Sequence, residues 1–595
     1  MSTISKHFLN DPSTLVQDSL RSLELINPTI AVDIKQKVAY IKDQPQDCVS
    51  LICGGGSGHE PAHCLFVGSG MLSAAVCGNI FASPNPSQVL RGLELVQNPN
   101  GTVIIVKNYT GDILNFGLAK EKYSAKFPDQ ASKLRFVVVA DDVAVGRTQG
   151  AIVGRRGLAG TVLVYKIAGA LAKRGGSLDD VESLAKCVAA QVGTIGVGLG
   201  HCSVPGSTRD DTLKEDEYEV GMGIHNEPGY LRSSPVPSLN KLVVDMVNLL
   251  TDTTDSERSF LKFRLDTQDR VILLVNNLGG TSELELGAVA AAAVLELERR
   301  KMVIERVLVG TFMTSLNMPG FSLSLLLLPR EEDKHTVSAE KILQYLDDET
   351  EATAWKAAIK VKHPGQRGRS TTGDTVAQAS RIDRCMEAPD KSAFVALVER
   401  VCMSLKAAEP EITKMDEKAG DGDCGYTLKN GAEAIIKSIH EGRINGDNVI
   451  EDARAIAEAV EMAMDGTSGA LYSIFFSALT QALYDQATPN TAAVSREMIS
   501  KALNFALTRL YTYTRARPPS RTLVDPLDAF IKAITSGKSW KHATNEAARA
   551  AENTKNLPAK AGRAAYVDQS NLDVCDPGAW GVKVILEAAC AGLEE

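Results

Sequence analysis

Through the first half of the chain, short apolar runs alternate with segments of helical period. The runs CVSLIC at 48–53, TVIIV at 102–106, RFVVVA at 135–140, VILLVNN at 271–277 and IERVLVG at 304–310 have the length and branched content of buried strands. The strongest apolar stretch, LSLLLLP at 323–329, reads as a strand too. Between them, TVLVYKIAGALAKR at 161–174 keeps a helical spacing. This alternation predicts α/β units around a buried sheet. Near residue 330 the pattern changes: PREEDKHTVSAEK is polar, and 362–382 hold Gly, Ser, Thr and Arg with no apolar period, as an interdomain linker does. From 391 to 595 Ala, Leu, Glu and Lys recur at helical spacing with no convincing strand, which predicts an all-helical domain. The expected organisation is an α/β domain over 1–355, a linker over 356–390 and a helical domain over 391–595, with no internal duplication.

Length agrees with this division, because 595 residues exceed what one core serves. The chain is 44% hydrophobic and 23% charged, and no apolar run approaches the roughly 20 residues of a membrane span. MSTISKHFLNDP lacks the blocks of a signal peptide, and AGLEE carries neither a peroxisomal tripeptide nor a prenylation box. A net charge of −9 with interspersed signs argues against nucleic acid and anionic membrane as partners. The eleven cysteines form no CxxC pair, and most lie in apolar stretches, for example Cys53, Cys187 and Cys402. Reduced, buried thiols in a cytoplasmic protein are expected.

Candidate chemistry begins at GGGSGHEP, 54–61, directly after an apolar run. It fails the dinucleotide fingerprint, which needs a small residue where His59 stands, and it has no Gly-Lys-Ser/Thr of a P-loop. Gly537-Lys538-Ser539 has that triplet but lacks the preceding glycine, where Lys532 stands, and lacks a strand before it; it reads as a helix end. Taken alone, GGGSGHEP is best explained as a tight strand-to-helix connection with His59 bonded to a carbonyl. Two further loops change the balance. KNYTGD, 107–112, places Lys107 and Asp112 at a strand's carboxyl end, where open α/β sheets bind ligands. GMGIHNEPG, 221–229, sets His225 between glycines ahead of Glu-Pro. Three such loops suggest one converging polar site.

The helical half has its own cluster, Asp416, Asp421 and Asp423 in DEKAGDGDCG. Three carboxylates in one turn repel unless solvated or bridged by a cation; a solvated acidic loop and a Ca²⁺ loop are the plainer accounts. EF-hand spacing fails, because Thr427 stands where its last glutamate belongs. Downstream, Thr467 and Ser468 in MDGTSGALY fall at an expected helix N-terminus, a seat for phosphate. ARPPSRT adds Arg517 and Arg521, and DPGAWG adds a tight turn.

Together these motifs carry a resemblance. GGGSGHEP, KNYTGD, RRGLAGTVLVYKIAGA and GMGIHNEPG look like the substrate domain of dihydroxyacetone kinases, and GDGDCG, GTSGALYS and CDPGA look like their nucleotide domain. The match spans nearly the whole chain, in family order, and resembles the fused, ATP-dependent form rather than the relay-fed bacterial systems, since no phosphocarrier-like domain is present.

The resemblance implies a substrate domain of two α/β subdomains followed by an all-α helical-barrel nucleotide domain. It implies ATP and Mg²⁺ as cofactors and phosphorylation of dihydroxyacetone and D-glyceraldehyde. His225 would hold the ketone as a covalent hemiaminal, which excludes glycerol by bond formation. Asp112 would take the proton of the attacking hydroxyl, and His59 would assist. Lys107 and the backbone of Gly56, Ser57 and Gly58 would bind substrate oxygens. Asp416, Asp421 and Asp423 would hold two Mg²⁺ ions. Gly422, Cys424 and Gly425, Thr467 and Ser468, Arg517, Arg521 and Thr522, and Asp576, Pro577 and Gly578 would contact the nucleotide. One departure stands out: Pro519-Ser520 replaces a Gly-Asp pair frequent in the family, which stiffens that loop and removes a carboxylate. The family also implies a homodimer, with domain exchange allowed by the linker. Two alternatives accompany the kinase: a dihydroxyacetone-binding regulator, which would not need the aspartate trio, and an additional FAD-cyclising lyase activity with Mn²⁺. Among the other histidines, His63 is expected one turn beyond His59 on the same helix, His201 in a Gly-rich turn, and His7, His335, His363, His440 and His542 at surface or linker positions.

Overall fold

The computed structural model describes residues 6–594 except 208–212, 265–267, 331, 333–336, 358–383, 465, 489–492 and 561–572. Most of the segment expected as a linker, with His363, lies outside the described residues, as does His335. The chain divides into two compact units, residues 1–371 and 372–595.

The first unit holds two six-stranded sheets. The strands of the first are β1 (Ile30–Asp33), β2 (Val38–Ile41), β3 (Ser50–Ser57), β4 (Ala74–Ile80), β5 (Thr102–Lys107) and β6 (Leu134–Val139), in the order β1-β2-β4-β3-β5-β6. β4, β3, β5 and β6 run parallel, and β1 and β2 add an antiparallel edge. The second sheet comprises β7 (Val192–Gly198), β8 (Tyr218–Val220), β9 (Leu231–Ser233), β10 (Arg270–Asn277), β11 (Val303–Gly310) and β12 (Gly320–Leu327), in the order β11-β10-β12-β7-β8-β9. It is antiparallel except for the β10–β11 pair. Every expected strand is present within a few residues. β1, β2, β4, β7, β8 and β9 escaped the sequence reading, being short or made of Ala and Gly rather than long branched runs.

The helix Gly160–Lys173 explains how two sheets share one core. Its sequence is apolar on all sides, and its residues from Gly160 to Ala170 are all buried. A helix without a polar face must be covered all round. Its neighbours in the core include Cys53 and Val103 from one sheet and Ile272 and Leu326 from the other. Amphipathic helices close the outer faces: Pro86–Leu95 and Thr110–Lys126 on the first sheet, Leu239–Thr251 and Glu283–Arg299 on the second.

The second unit is helical, with no strand among its described residues. Among the described residues its α-helices are Lys391–Ala419, Cys424–His440, Val449–Ala463, Gly466–Gln486, Arg496–Tyr513, Val524–Thr535, Trp540–Asn553 and Pro577–Glu594. Each packs on the next and the last returns to the first, which closes a barrel. Phe394, Ile456, Phe476, Leu479, Leu503 and Trp540 help line an apolar cavity of about 490 Å³. The Gly537-Lys538-Ser539 triplet lies between helices, where Ser539 caps Trp540–Asn553, as expected of a helix end. All eleven cysteines are free; Cys187 is half-buried and Cys385 exposed, so burial is not uniform. No helix among the described residues is long and apolar enough to cross a membrane.

Candidate active site

The three polar loops of the first unit do converge, though GGGSGHEP is not built as a loop throughout. β3 continues through Gly54, Gly55, Gly56 and Ser57, with Ser57 registered against Ile80 of β4. A side chain at Gly54 would stand 2.2 Å from the Val76 carbonyl, so glycine lets the strands pair that closely. Gly58, at φ +101°, then turns the chain. Its amide donates to Glu60 Oε2 at 2.8 Å, so that N–H is not free for a ligand as expected. The Ser57 hydroxyl likewise donates to the Gly78 carbonyl at 2.9 Å. Gly55 faces the charged pair instead: a Cβ there would be in contact with both, 3.4 Å from Asp112 Oδ2 and 3.8 Å from Lys107 Nζ.

His63 is not on a helix with His59. The chain between them forms turns, and His63 sits buried with Nδ1 3.4 Å from Cys53 Sγ and its ring edge-on to Tyr165. Glycine and proline on either side of His59 deny it a helical run.

His59 is fully buried. Its Nδ1 donates to the Thr314 carbonyl at 2.8 Å, and its Nε2 faces His225 Nε2 at 3.0 Å. The plain role expected for His59, a bond to a carbonyl, is thus present, and its second ring nitrogen faces His225. Burial, with the positive charges of Lys107 and His225, holds His59 well below the usual imidazole range, so it is neutral.

His225 lies in the connection between the antiparallel strands β8 and β9, not at the carboxyl end of a parallel strand. Gly223 N–H donates to the Glu227 carbonyl at 2.9 Å, and Asn226 adopts φ +63° within that turn. The Glu227 carboxylate folds back to accept from His225 N at 2.8 Å and from His225 Nδ1 at 2.9 Å. Burial alone would push the Glu227 carboxyl up, but the hydrogen bond and charge of His225 outweigh it and hold it at about 2. Phe81, Tyr109 and His59 enclose the His225 ring edge-on, with centroids 5.1, 4.9 and 4.8 Å away. Arg156 steadies the base of the loop, donating to the Gly221 carbonyl and to buried Asp142, each at 2.6 Å.

Lys107 ends β5, and Asp112 stands in the first turn of Thr110–Lys126, where the helix dipole favours an acid. Both are buried. Lys107 Nζ lies 5.4 Å from the Tyr109 ring centroid, the ring that packs against His225. Burial lowers the Lys107 ammonium, opposed by Asp112, and raises the Asp112 carboxyl, opposed by Lys107. Asp112 Oδ1 is buried without a hydrogen-bond partner. A buried acceptor with nothing to accept is what a hydroxyl-bearing ligand would complete.

In the second unit Asp416 stands in the last turn of Lys391–Ala419, and Asp421 and Asp423 follow in the Gly-rich turn. Their carboxylates offer oxygens within 4.8 Å of one another. Asp416 Oδ2 accepts the Cys424 amide at 2.9 Å. An acid at a helix C-terminus opposes the dipole, and two more anions add repulsion. An all-oxygen set of this kind fits a hard divalent cation. The trio borders a cavity of about 600 Å³ that also meets Thr467, Ser468, Thr522 and the Asp576–Pro577–Gly578 segment. Thr467 and Ser468 open the helix Gly466–Gln486, as expected. Asp576 accepts the Ala579 amide at 2.8 Å, so DPGAWG starts the last helix rather than forming an isolated turn. Burial lifts the Cys424 thiol to about 12, which keeps it protonated.

Some residues expected at the nucleotide do not line that cavity. Arg517 stacks 3.9 Å from the Tyr511 ring centroid and donates to the carbonyls of Tyr511, Thr514 and Ala516. Arg521 is fully buried and donates to the Val574 carbonyl. Neither is among the cavity-lining residues, and Gly422 and Gly425 are not either. Gly425 serves packing, since a Cβ would stand 2.2 Å from Thr413 Oγ1. Ser520, at the departure from the family pattern, donates to Asp525 through both amide and hydroxyl. The sequence reading missed Glu227, Arg156, Tyr109 and Thr314. Only Glu227 left a signal, as an acid two residues from a loop histidine.

Family models match both parts of the chain. A Dak1 domain model matches residues 21–354, and a DAK2 domain model matches 418–591. The chain is 40% identical over 609 residues to a dihydroxyacetone kinase of Pichia angusta, covering 98% of each. It is 37% identical over 610 residues to triokinase/FMN cyclase of Homo sapiens, covering 99% of this chain and 100% of the relative. The crystal structure of the dihydroxyacetone kinase from C. freundii in complex with AMP-PNP and Mg²⁺ aligns with 99% of this chain and 100% of its own, at 30% identity and a TM-score of 0.64. With both domain types in one polypeptide and relatives matched end to end, this chain belongs to the dihydroxyacetone kinase family in its fused two-domain form.

Proposed function

We propose that the chain transfers the terminal phosphoryl group of ATP to dihydroxyacetone, and to D-glyceraldehyde, with the substrate held on His225 as a hemiaminal. The observation that carries this is the chain Thr314–His59–His225–Glu227, in which two imidazole Nε2 atoms meet at 3.0 Å in an aromatic enclosure. Such an arrangement supplies a ring nitrogen for a carbonyl carbon and a second ring for the oxygen that results. Bond formation selects a ketone over a polyol of the same size, which a polar pocket does poorly. It also immobilises a three-carbon molecule with little area to bind.

Lys107 donates to a substrate hydroxyl, and Asp112, with its unpartnered oxygen, accepts the proton of the hydroxyl that attacks phosphorus. In this division of labour 1–355 takes the substrate and 391–595 the nucleotide. Asp416, Asp421 and Asp423 hold Mg²⁺, which supplies neutralisation of the charge on the transferring phosphoryl group. The amides at Thr467 and Ser468 seat phosphate oxygens, and Thr522, Asp576, Pro577 and Gly578 border the nucleotide. A cytoplasmic homodimer completes the reading; sedimentation showing monomer alone at assay concentration would remove the dimer.

ADP release from Mg-ATP with dihydroxyacetone, against glycerol in parallel, tests the proposal in the wild type and His225→Ala. Turnover on dihydroxyacetone alone, strongly weakened by the substitution, is expected. Equal turnover on glycerol defeats covalent selection, and binding without turnover on either points to a regulator.

A second reading is favoured by one feature. The cavity beside the aspartate trio shares Gly466, Ala470, Ile474 and Tyr513 with a further cleft of about 830 Å³. Such a trough would offer room beyond that of the first cavity, which supports an added FAD-cyclising activity. Incubation with FAD and Mn²⁺, followed by chromatography for a cyclic flavin phosphate, decides it; unchanged FAD would exclude it.

A further inference from the structure

The hydrogen-bond partners of the two histidines restrict where protons sit. The Thr314 carbonyl can only accept, so His59 Nδ1 carries a proton. The Glu227 carboxylate can only accept, so His225 Nδ1 carries another. The two Nε2 atoms, 3.0 Å apart, then need one proton between them, or two lone pairs would face each other. Three protons on two imidazoles make one positive charge, and the Glu227 carboxylate is the anion in contact with it. Because the Glu227 carboxylate touches the His225 ring, at 2.9 Å, and His59 meets a neutral carbonyl, that charge belongs to His225.

We infer that Glu227 is a positioning residue for the covalent step: it fixes the Nδ1–H form of His225 and stays as the counter-ion of the alkylated ring. The inference rests on the hemiaminal reading above. The step balances without any added reagent. His225 Nε2 gives up the shared proton, which passes to the carbonyl oxygen. The Nε2 lone pair bonds to the carbonyl carbon as the C=O π bond breaks. The product carries an N-alkyl imidazolium on His225, still donating Nδ1–H to Glu227, and a hydroxyl that faces the lone pair of His59 Nε2. Net charge is +1 on the ring and −1 on Glu227 before and after, so no charge is created in a partly dehydrated site. Without Glu227 the imidazolium would lie among Lys107 and Arg156, two further cations; Asp112 also acts on the ring, while Glu60 is engaged by the Gly58 amide, Asp141 by the Leu158 and Gly160 amides and the Thr194 hydroxyl, and Asp142 by Arg156. Tyr109 is held protonated by burial and offers no charge.

The geometry also shows why this acid is two residues from the histidine. The turn closed by Gly223 N–H to Glu227 O lets one carboxylate reach both the backbone amide and the ring of His225. Glu227 accepts the His225 amide at Oε2 and the ring Nδ1–H at Oε1, so a Gln keeps an oxygen for only one of the two and loses the charge.

The test is Glu227→Gln in the full chain, with ¹³C-carbonyl dihydroxyacetone and no nucleotide. The adduct is read as the shift of the carbonyl signal to a tetrahedral carbon, across pH. Relative to wild type, adduct affinity should fall about 10- to 100-fold, as for loss of a charged hydrogen-bond partner. The basic limb of adduct formation should also move to lower pH, because a ring without its carboxylate surrenders the shared proton sooner. Glu227→Asp should restore part of the charge effect. A Gln variant that forms the adduct as the wild type does overturns the inference and leaves hemiaminal catalysis standing. A loss equal at every pH overturns it too, since that is the mark of a disordered loop. Absence of any adduct in the wild type instead defeats the covalent reading itself.

Discussion

Asp576 stores an electrostatic cost that can be released by one atom. Its carboxyl opens the last helix, accepting the Ala579 amide at 2.8 Å, while its own amide donates to Thr554 Oγ1. Burial pushes this carboxyl from 3.8 up to about 6; the Ala579 amide and the Arg521 guanidinium pull it back, and Asp525 and Asp416 add to the rise. Converted at ~1.4 kcal/mol per pH unit, that rise is ~3 kcal/mol of lost stability at neutral pH. The carboxyl is half-buried at a cavity rim, where solvent screens part of it, so ~2 kcal/mol is expected. Asp576→Asn keeps the cap, since an amide oxygen still accepts Ala579 N–H, and removes the charge. The sign follows from the raised value. Below about pH 4 the wild-type carboxyl is protonated in folded and unfolded chains alike, and the two proteins should match. As pH rises towards 6 and beyond, the wild type loses stability that the variant retains. For a helical unit of this size the gain corresponds to ~4–8 °C at pH 7. The assay is thermal unfolding without nucleotide or Mg²⁺, at pH 4 and 7, with hydrogen exchange in Pro577–Glu594 locating the effect. Equal midpoints at pH 7, or the same gain at both pH values, would refute the reasoning. Turnover should fall in the same variant, because Asp576 borders the nucleotide cavity.

Three other substitutions separate the site's parts. Asp416→Asn should fold normally, with an amide oxygen for Cys424 N–H, but require about tenfold or more Mg²⁺ for half-maximal turnover; an unchanged Mg²⁺ titration would remove Asp416 as a ligand. Arg156→Lys cannot reach both Asp142 and the Gly221 carbonyl, so it should cost ~2 kcal/mol in denaturant unfolding and raise KM for dihydroxyacetone more than it lowers kcat; an unaltered KM would detach this residue from the His225 loop. Tyr165→Phe removes a fully buried hydroxyl with no partner and should stabilise the first unit by ~1 kcal/mol; a loss of stability would mean that the hydroxyl is satisfied by internal water.

Much of the architecture was legible along the chain, for reasons particular elements make plain. Arg270–Asn277 and Gly320–Leu327 carry the apolar runs at 271–275 and 325–327 because both strands are buried along nearly their whole length. Gly160–Lys173 is apolar all round because two sheets cover it. The helical second unit and the start of Gly466–Gln486 were equally apparent, from helical spacing and a Gly-Thr-Ser opening. The titratable residues His59, Lys107, Asp112, His225 and the aspartate trio were named because each falls in a polar, Gly-containing stretch whose composition suits a ligand better than a core. β4 and β7 were not legible, since AAVCGNI and VGTIGVG lack the branched bulk that marks a strand, and their pairing comes from neighbours.

What only the tertiary structure decided was contact. Local sequence determines backbone preference and burial, which act over a few residues. It carries no record of which atoms meet when His59 and His225, 166 positions apart, come to 3.0 Å. It could not show that Ser57, Gly58 and Arg517 use their donors within the protein, or that Glu227 turns back onto its own histidine. Hydrogen bonding depends on tenths of an ångström and on direction, and these are set when the sheets, the central helix and the loops pack together.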